Sequence, residues 1–448
     1  MKDYLLLGSR TAVVADEKMN NATVKQLWKG FTLTLGELTL EKGESNTFRL
    51  GHTPLPTLPE GKEYALNVDE NGAAIVGKDY DGLMRGFMAL LLKIEPDENS
   101  LKIKSVLEES DYKLQNRMIH ICVFPENDLY FIKKLIRLSA LCQYTHMVIE
   151  FWGMLKYDCL KELAWPHAFT KEQAKELMDE CRALGIAPIP MFNMFGHATA
   201  SRVRYGKHVV LDQNPTLQHY FTPDGWAWDI TNPKVYALFR QIRQELYEVF
   251  GQTEYFHIGF DEAYFYMCRE DLRKKVPAFL GQLTADIAAE GRRPMLWMDM
   301  ILKESDYPSE YYAFGKEGEA EQLLGALSKE SVMVDWQYNI VKAPILSSLY
   351  LKDKGHDLVI APWLKSENYT ACIDTATEHA LYGIMLTTWH TLKYDIAGIL
   401  GCAKKCGAKS FVWSVDRLKE ETAALLRRVS FEGNTYGDCG WSKEQIEV

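Results

Sequence analysis

Apolar and polar positions alternate along this chain in two rhythms. Up to about residue 112 the apolar runs are short and broken by turns. FTLTLGELTLEKGE and YALNVDENGAAIVGKDYDG alternate around Gly, Asn and Asp, the pattern of half-exposed antiparallel strands. LMRGFMALLLKI follows with helical spacing. Residues 1–112 are therefore expected to form a small, non-catalytic α+β domain. From residue 113 the rhythm changes. Eight β-rich runs can be marked: Arg117–Phe124, His146–Phe151, Ala187–Asn193, Tyr255–Asp261, Arg293–Met300, Ser331–Tyr338, Asp357–Trp363 and Gly383–His390. Amphipathic segments such as KEQAKELMDECRALG and PKVYALFRQIRQELYEVFG separate them, and Gly185, Gly251 and Gly291 stand where a left-handed residue closes a helix. Eight alternations predict an α/β fold, a (β/α)8 TIM barrel over residues 113–448. A doubly wound open sheet is the rival, but it usually has fewer strands and a Gly-rich first turn, and GxGxxG does not occur.

Composition narrows the function. Apolar residues make up 47% and charged residues 25% of 448, the balance of a folded chain rather than a disordered one. Asp and Glu outnumber Lys and Arg by 61 to 51, a net charge of −10. With no long Lys/Arg run to oppose that field, a nucleic-acid partner is not expected. No stretch approaches the ~18 apolar residues of a membrane span, and MKDYLLLGSR lacks the apolar core of a secretion signal. The nine cysteines are odd in number and scattered. Cys402 and Cys406 share a helix face without a second ligand pair for zinc, so buried thiols and a cytoplasmic location are expected. The polar, helix-patterned segment after residue 416 could pack on the barrel or on a second copy of the chain, which leaves a homodimer open.

In a barrel of this kind the site lies at the C-terminal ends of the strands. Trp152, Trp297, Trp336, Trp363 and Trp389 fall at or just past those ends, five of the eleven tryptophans at one rim. Indole faces stack on the C–H faces of a pyranose while polar groups take its hydroxyls, so the rim points to a sugar. The fourth run ends in YFHIGFDEAY, with Asp261 and Glu262 adjacent. Neighbours in a regular strand face opposite ways, so both serve one pocket only where the strand breaks into a loop. Two carboxylates held together raise the pKa of at least one, as a general acid requires. A surface Asp–Glu capping a helix is the plainer alternative.

HIGFDE resembles the H-x-G-x-D-E signature of glycoside hydrolase family 20, the β-N-acetylhexosaminidases. Residues 62–93 resemble the end of that family's non-catalytic N-terminal domain. IAPIPMFNMFGHA is similar to its third-strand motif and supplies His197, while Arg117 in NRMIHI sits where the family has a first-strand Arg that holds sugar hydroxyls. Trp297, Trp336 and Trp389 fall where the family places the walls of its acetamidosugar pocket. The Phe-Gly-His form, with Glu150 closing the second run, is closer to the hexosaminidase D-like branch than to lysosomal or chitin-degrading members. The resemblance implies substrate-assisted retaining hydrolysis of a terminal β-linked GlcNAc or GalNAc, with no metal or other cofactor. Glu262 would protonate the leaving oxygen, the substrate's 2-acetamido oxygen would attack, and Asp261 would orient the acetamide N–H. A tyrosine should bind the acetamide oxygen, and Tyr338 and Tyr369 are both candidates. Arg117, His197, Trp363 and the three wall tryptophans complete the expected substrate-binding set. His257, Asp299 and Asp335 read equally well as interior or rim polar residues.

The chain also departs from the family. Thr391 stands where many members carry a Glu two residues after the last-strand Trp, and MVIEFWGM replaces a His and an Asp near strand two. These changes leave the epimer preference open. Two alternatives stand beside the hydrolase: a carbohydrate-binding protein on a hydrolase-like barrel, and a glycosidase using separated carboxylates such as Glu150 and Glu262.

Overall fold

The computed structural model describes residues 3–8, 12–32, 38–98, 100–198, 211, 214–363, 365–389, 392, 396–408 and 417–429. Its N-terminal part holds a six-stranded sheet in the order Leu40–Lys42, Val13–Ala15, Thr47–Gly51, Gly72–Gly77, Tyr64–Asp69, Val106–Glu109. Tyr64–Asp69 and Gly72–Gly77 form the hairpin that their alternation suggested. Helix Tyr80–Leu91 begins where the Asp79 carboxylate accepts the Gly82 N–H, an N-cap. It is buried from Gly82 to Leu91, because one side faces the sheet and the other the barrel. That position explains its almost unbroken apolar sequence.

The barrel closes through eight parallel strands: β1 (Asn116–Cys122), β2 (His146–Glu150), β3 (Ala187–Met191), β4 (Tyr255–His257), β5 (Arg293–Trp297), β6 (Val332–Trp336), β7 (Asp357–Ala361) and β8 (Gly383–Thr388), with β8 pairing β1. Each strand starts within one residue of its predicted run, but each stops earlier than predicted. The fourth run reaches Asp261 in its apolar pattern, yet β4 ends at His257. The residues past the strand ends stay apolar because they form buried loops, and period alone does not separate a buried loop from a strand. The helices are delimited by local chemistry. Thr170 and Gln173 make a capping box at the start of Lys171–Ala183, and Gly251, at φ 65°, closes Pro233–Phe250.

Two apolar cores result. Met118, Val148, Met191, Met295, Trp297, Trp336 and Tyr338 fill the barrel interior, while a larger cluster joins the strands' outer faces to the helices and the first domain. Helix Leu418–Arg428 packs on Ile396–Lys405 of the same chain, with Lys404 paired to Glu421. Cys402 and Cys406 are buried thiols. Among the described residues no helix is long and apolar enough to cross a membrane.

The seam between domain and barrel lies at the N-terminal ends of the strands, and it corrects one expectation. Arg117 does not reach the rim. It sits at the start of β1, almost fully buried, with Nη1 and Nη2 each 3.1 Å from the two Glu63 oxygens and Nε donating to the Gln143 carbonyl. Glu63 belongs to the first domain and also pairs with Arg85. The Tyr112 ring covers the guanidinium at 3.6 Å. Breaking a buried pair leaves an uncompensated charge. Arg117→Ala is therefore expected to lower unfolding stability by about 3 kcal/mol, the low end because Glu63 keeps Arg85. Denaturant titration would read this, with KM of the folded fraction unchanged. A raised KM without loss of stability would return Arg117 to the substrate.

A cavity of about 1000 Å³ lies along the same seam, lined among others by Tyr80, His146 and Tyr255 and by the paired Arg137 and Glu180. It lies at the opposite end of the strands from the acidic pair.

Candidate active site

The site begins where β4 gives out. Gly259, Phe260 and Glu262 take φ of 72°, 86° and 49°, so the chain turns sharply past the strand end. Phe260 and Glu262, with His197 at φ 53°, are three of the eight non-glycine residues with positive φ among the described residues. Each such residue costs roughly 1–3 kcal/mol and persists only where its surroundings hold it. The turn defeats the strand alternation and sends Asp261 and Glu262 to the same neighbour. His197 Nε2 lies 2.8 Å from Glu262 Oε2 and 3.4 Å from Asp261 Oδ2.

His197 is held there by the loop after β3. Gly196 presses against the acidic loop so closely that a Cβ would stand 1.8 Å from the Asp261 carbonyl oxygen. Phe195 stacks on Phe260 with centroids 4.7 Å apart, which fastens the two loops through their apolar side. Trp226 lies 4.7 Å from the His197 ring and donates its Nε1–H to the Glu262 carbonyl at 2.7 Å. Asp299, just past β5, ties the acidic pair to the pocket wall. Its Oδ2 accepts the Glu262 backbone N–H at 2.9 Å, and its Oδ1 accepts Trp336 Nε1–H at 3.0 Å. Burial, followed by the nearby Asp261 carboxylate, pushes the Asp299 carboxyl well above the usual range.

The wall is aromatic. Trp297, Trp336 and Tyr338 belong to the barrel-interior cluster, and Trp363, Trp389, Tyr312 and Phe314 pack against it. Trp389 Nε1 donates to the Tyr338 hydroxyl at 3.1 Å, and Thr387 Oγ1 lies 3.2 Å from the same oxygen. Burial lifts the Tyr338 phenol, so it stays protonated. Tyr369 is elsewhere: it packs in the outer cluster, with its hydroxyl against Gly401 of helix Ile396–Lys405. That placement removes it from the pocket. Trp152 also leaves the rim set; it is fully buried in the outer cluster against Phe192 and Trp228.

Beneath the wall lies a polar floor. His257 accepts the Gly259 N–H at Nδ1 and packs 4.5 Å from Trp297; burial holds it neutral. Glu150, at the end of β2, is fully buried, accepts Asn193 Nδ2–H at 2.8 Å and lies 3.5 Å from His120 Nε2. Asp335, beside Trp336 in β6, faces the other way: it is buried on the outer side of the strand, held by Ser347 and Ser348 of helix Leu346–Lys352 and by Gln337. Gln337 in turn bonds both the N–H and the carbonyl of Tyr312, which seats that ring on Trp336 at 4.3 Å.

Sequence reasoning missed Trp226 and Tyr312, on loops far from any motif and marked only by their aromatic character, and Tyr264, which opens the short helix Tyr264–Met267 two residues after Glu262. His390 and Thr391 lie outside the described residues. No group of three or more His, Cys, Asp or Glu with metal-ligand geometry occurs among the described residues.

A family model for the catalytic domain of glycosyl hydrolase family 20 matches residues 144–391, more than half of the chain, and a second model, for domain 2 of the same family, matches residues 2–107. The chain belongs to glycosyl hydrolase family 20. This family 20 chain is 28% identical over 291 residues to a beta-hexosaminidase of Akkermansia muciniphila, covering 56% of this chain and 58% of that protein. It thus spans little more than half the length of that curated relative. Among solved family 20 structures, its fold is shared with the Flavobacterium johnsoniae chitobiase (TM-score 0.66, 15% identity, 96% of this chain and 70% of that one). The Streptomyces coelicolor β-N-acetylhexosaminidase is similar to the same degree (TM-score 0.66, 14% identity, 99% and 94%).

Proposed function

We propose that this family 20 chain is an exo-acting β-N-acetylhexosaminidase that removes terminal β-linked GlcNAc, GalNAc or both by substrate-assisted, retaining hydrolysis. The observation that carries the reading is the convergence of Asp261 and Glu262 on His197 beside a pocket walled by Trp297, Trp336, Tyr338 and Trp389. The beta-hexosaminidase name of the Akkermansia relative supports it.

The division of labour follows from burial. The Glu262 side chain is 21% exposed and Asp261 only 7%, so Glu262 faces the mouth and Asp261 the interior. Glu262 is the acid that protonates the leaving glycosidic oxygen and later the base that takes a proton from water. Asp261 accepts the acetamide N–H, orients the acetamide oxygen toward the anomeric carbon and offsets the positive charge of the oxazolinium ring. The Tyr338 hydroxyl donates to that acetamide oxygen. Because the nucleophile is part of the substrate, its effective molarity can reach ~10⁵ M. His197 positions both carboxylates. A mechanism with two separated carboxylates is disfavoured, because Glu150 is fully buried and engaged by Asn193 and His120.

The test is release of 4-nitrophenol from β-GlcNAc and β-GalNAc glycosides, with the plain β-glucoside and β-galactoside as controls. Only the acetamido sugars are expected to be cleaved, and an acetamide-derived thiazoline is expected to inhibit. Equal cleavage of the plain glycosides would mean an enzyme-borne nucleophile and would overturn the role given to Asp261.

A further inference from the structure

The aromatic wall does not end at the pocket. From Trp336 it continues outward through Tyr312 (4.3 Å between centroids) to Phe314 (6.4 Å), from Phe314 to Tyr264 (5.6 Å), and from Tyr264 to Trp226 (6.2 Å). Exposure rises along this path. Trp336 is 6% exposed, Tyr312, Phe314 and Trp226 are half-buried, and Tyr264 is 40% exposed. The Tyr264 and Trp226 rings are within 25° of parallel, so they present related faces. Isolated exposed aromatics are common on protein surfaces. These rings are contiguous, and they flank one particular group: Trp226 bonds the Glu262 carbonyl and Tyr264 follows Glu262 by two residues.

We propose that Tyr264 and Phe314, backed by Trp226, form a subsite for the residue that leaves, and that this residue is itself a pyranose. The inference rests on the reading of Glu262 as the general acid. An acid must stand beside the glycosidic oxygen it protonates, so whatever that oxygen belongs to lies on the Glu262 side of the mouth. That side offers partly exposed aromatic faces, the surface on which a sugar's C–H face stacks. The leaving group is therefore a second sugar of a glycan chain, rather than a hydroxyamino-acid side chain or a simple alcohol, neither of which has such a face.

The experiment compares kcat/KM for a β-linked N-acetylglucosaminyl disaccharide with that for methyl N-acetyl-β-glucosaminide, whose leaving group has no ring. The wild type is expected to prefer the disaccharide. Phe314→Leu keeps bulk and removes the ring, and Phe314→Ala removes both; each is expected to lower the disaccharide-to-methyl ratio about five- to tenfold. The methyl glycoside meets Phe314 only through the wall that ring supports and should fall less than the disaccharide, so the ratio and not the basal rate carries the test. Tyr264→Phe, which keeps the ring, is expected to retain the preference, whereas Tyr264→Leu should lose it. An unchanged ratio in the Phe314 variants, or an equal fall on both substrates, would overturn the subsite while leaving the hydrolase assignment standing. A wild type that cleaves neither these substrates nor the nitrophenyl acetamido glycosides would instead strike the assignment itself.

Discussion

Glu262→Gln is expected to lower kcat on the methyl or disaccharide substrate by ~10³–10⁴-fold, the upper part of the range for general acid catalysis. Glutamine keeps the shape of the side chain and an oxygen that can accept from His197. The other ties at this position, the Glu262 N–H to Asp299 and the Trp226 N–H to the Glu262 carbonyl, are to the backbone and survive the substitution. The fold should therefore be retained, and what is lost is the proton. That loss has a signature. A leaving group such as 2,4-dinitrophenolate departs with little protonation, so its kcat should fall far less than that of the methyl glycoside. Measuring both in the same variant decides the point. Equal losses on the two substrates would mean that Glu262 acts in some other way.

Asp261→Asn is expected to reduce kcat about 10³-fold, with a correspondingly weaker affinity for the thiazoline. The carboxylate is proposed to hold the acetamide in the one orientation that brings its oxygen onto the anomeric carbon and to face the charge that develops there. Preorganised groups of this kind contribute on the order of 10²–10³ each, and misplacing an intramolecular nucleophile forfeits effective molarity as well. The amide retains one acceptor oxygen but loses the charge. The dinitrophenyl glycoside should be impaired here as severely as the methyl one, because the defect lies in attack rather than in departure. That contrast with Glu262→Gln separates the two carboxylates. A loss that appears only with poor leaving groups would exchange their roles.

The barrel was legible because eight apolar runs and eight amphipathic segments left few other ways to bury so much alternating surface. Strand starts could be read to within a residue. Strand ends could not, because Ile258, Phe260 and Ala263 are as buried in a loop as they would be in a strand. The acidic pair was visible as a motif, but its convergence depends on the positive φ of Phe260 and Glu262, which no composition reveals. Tyr338 and Tyr369 were indistinguishable by sequence. One ends up inside the barrel just past β6, while the other sits on the outer helix Ser366–Glu378. Arg117 misled for a related reason. It stands at the correct strand but at the wrong end of it, and its partner Glu63 is 54 residues away in another domain. Trp226 reaches Glu262 across 36 residues of chain, a closure that only the folded loops create.

The seam at Glu63 bears on how the chain can be taken apart. Two family models divide it neatly, inviting the view that the first part is an accessory to be trimmed or exchanged. A barrel starting near residue 113 would keep the buried Arg117 cation and lose the carboxylate that meets it, and would uncover the apolar face on which helix Tyr80–Leu91 lies. A first domain grafted from elsewhere would have to bring a carboxylate to the same spot. In engineering terms the boundary is a line in the sequence and not a joint in the molecule.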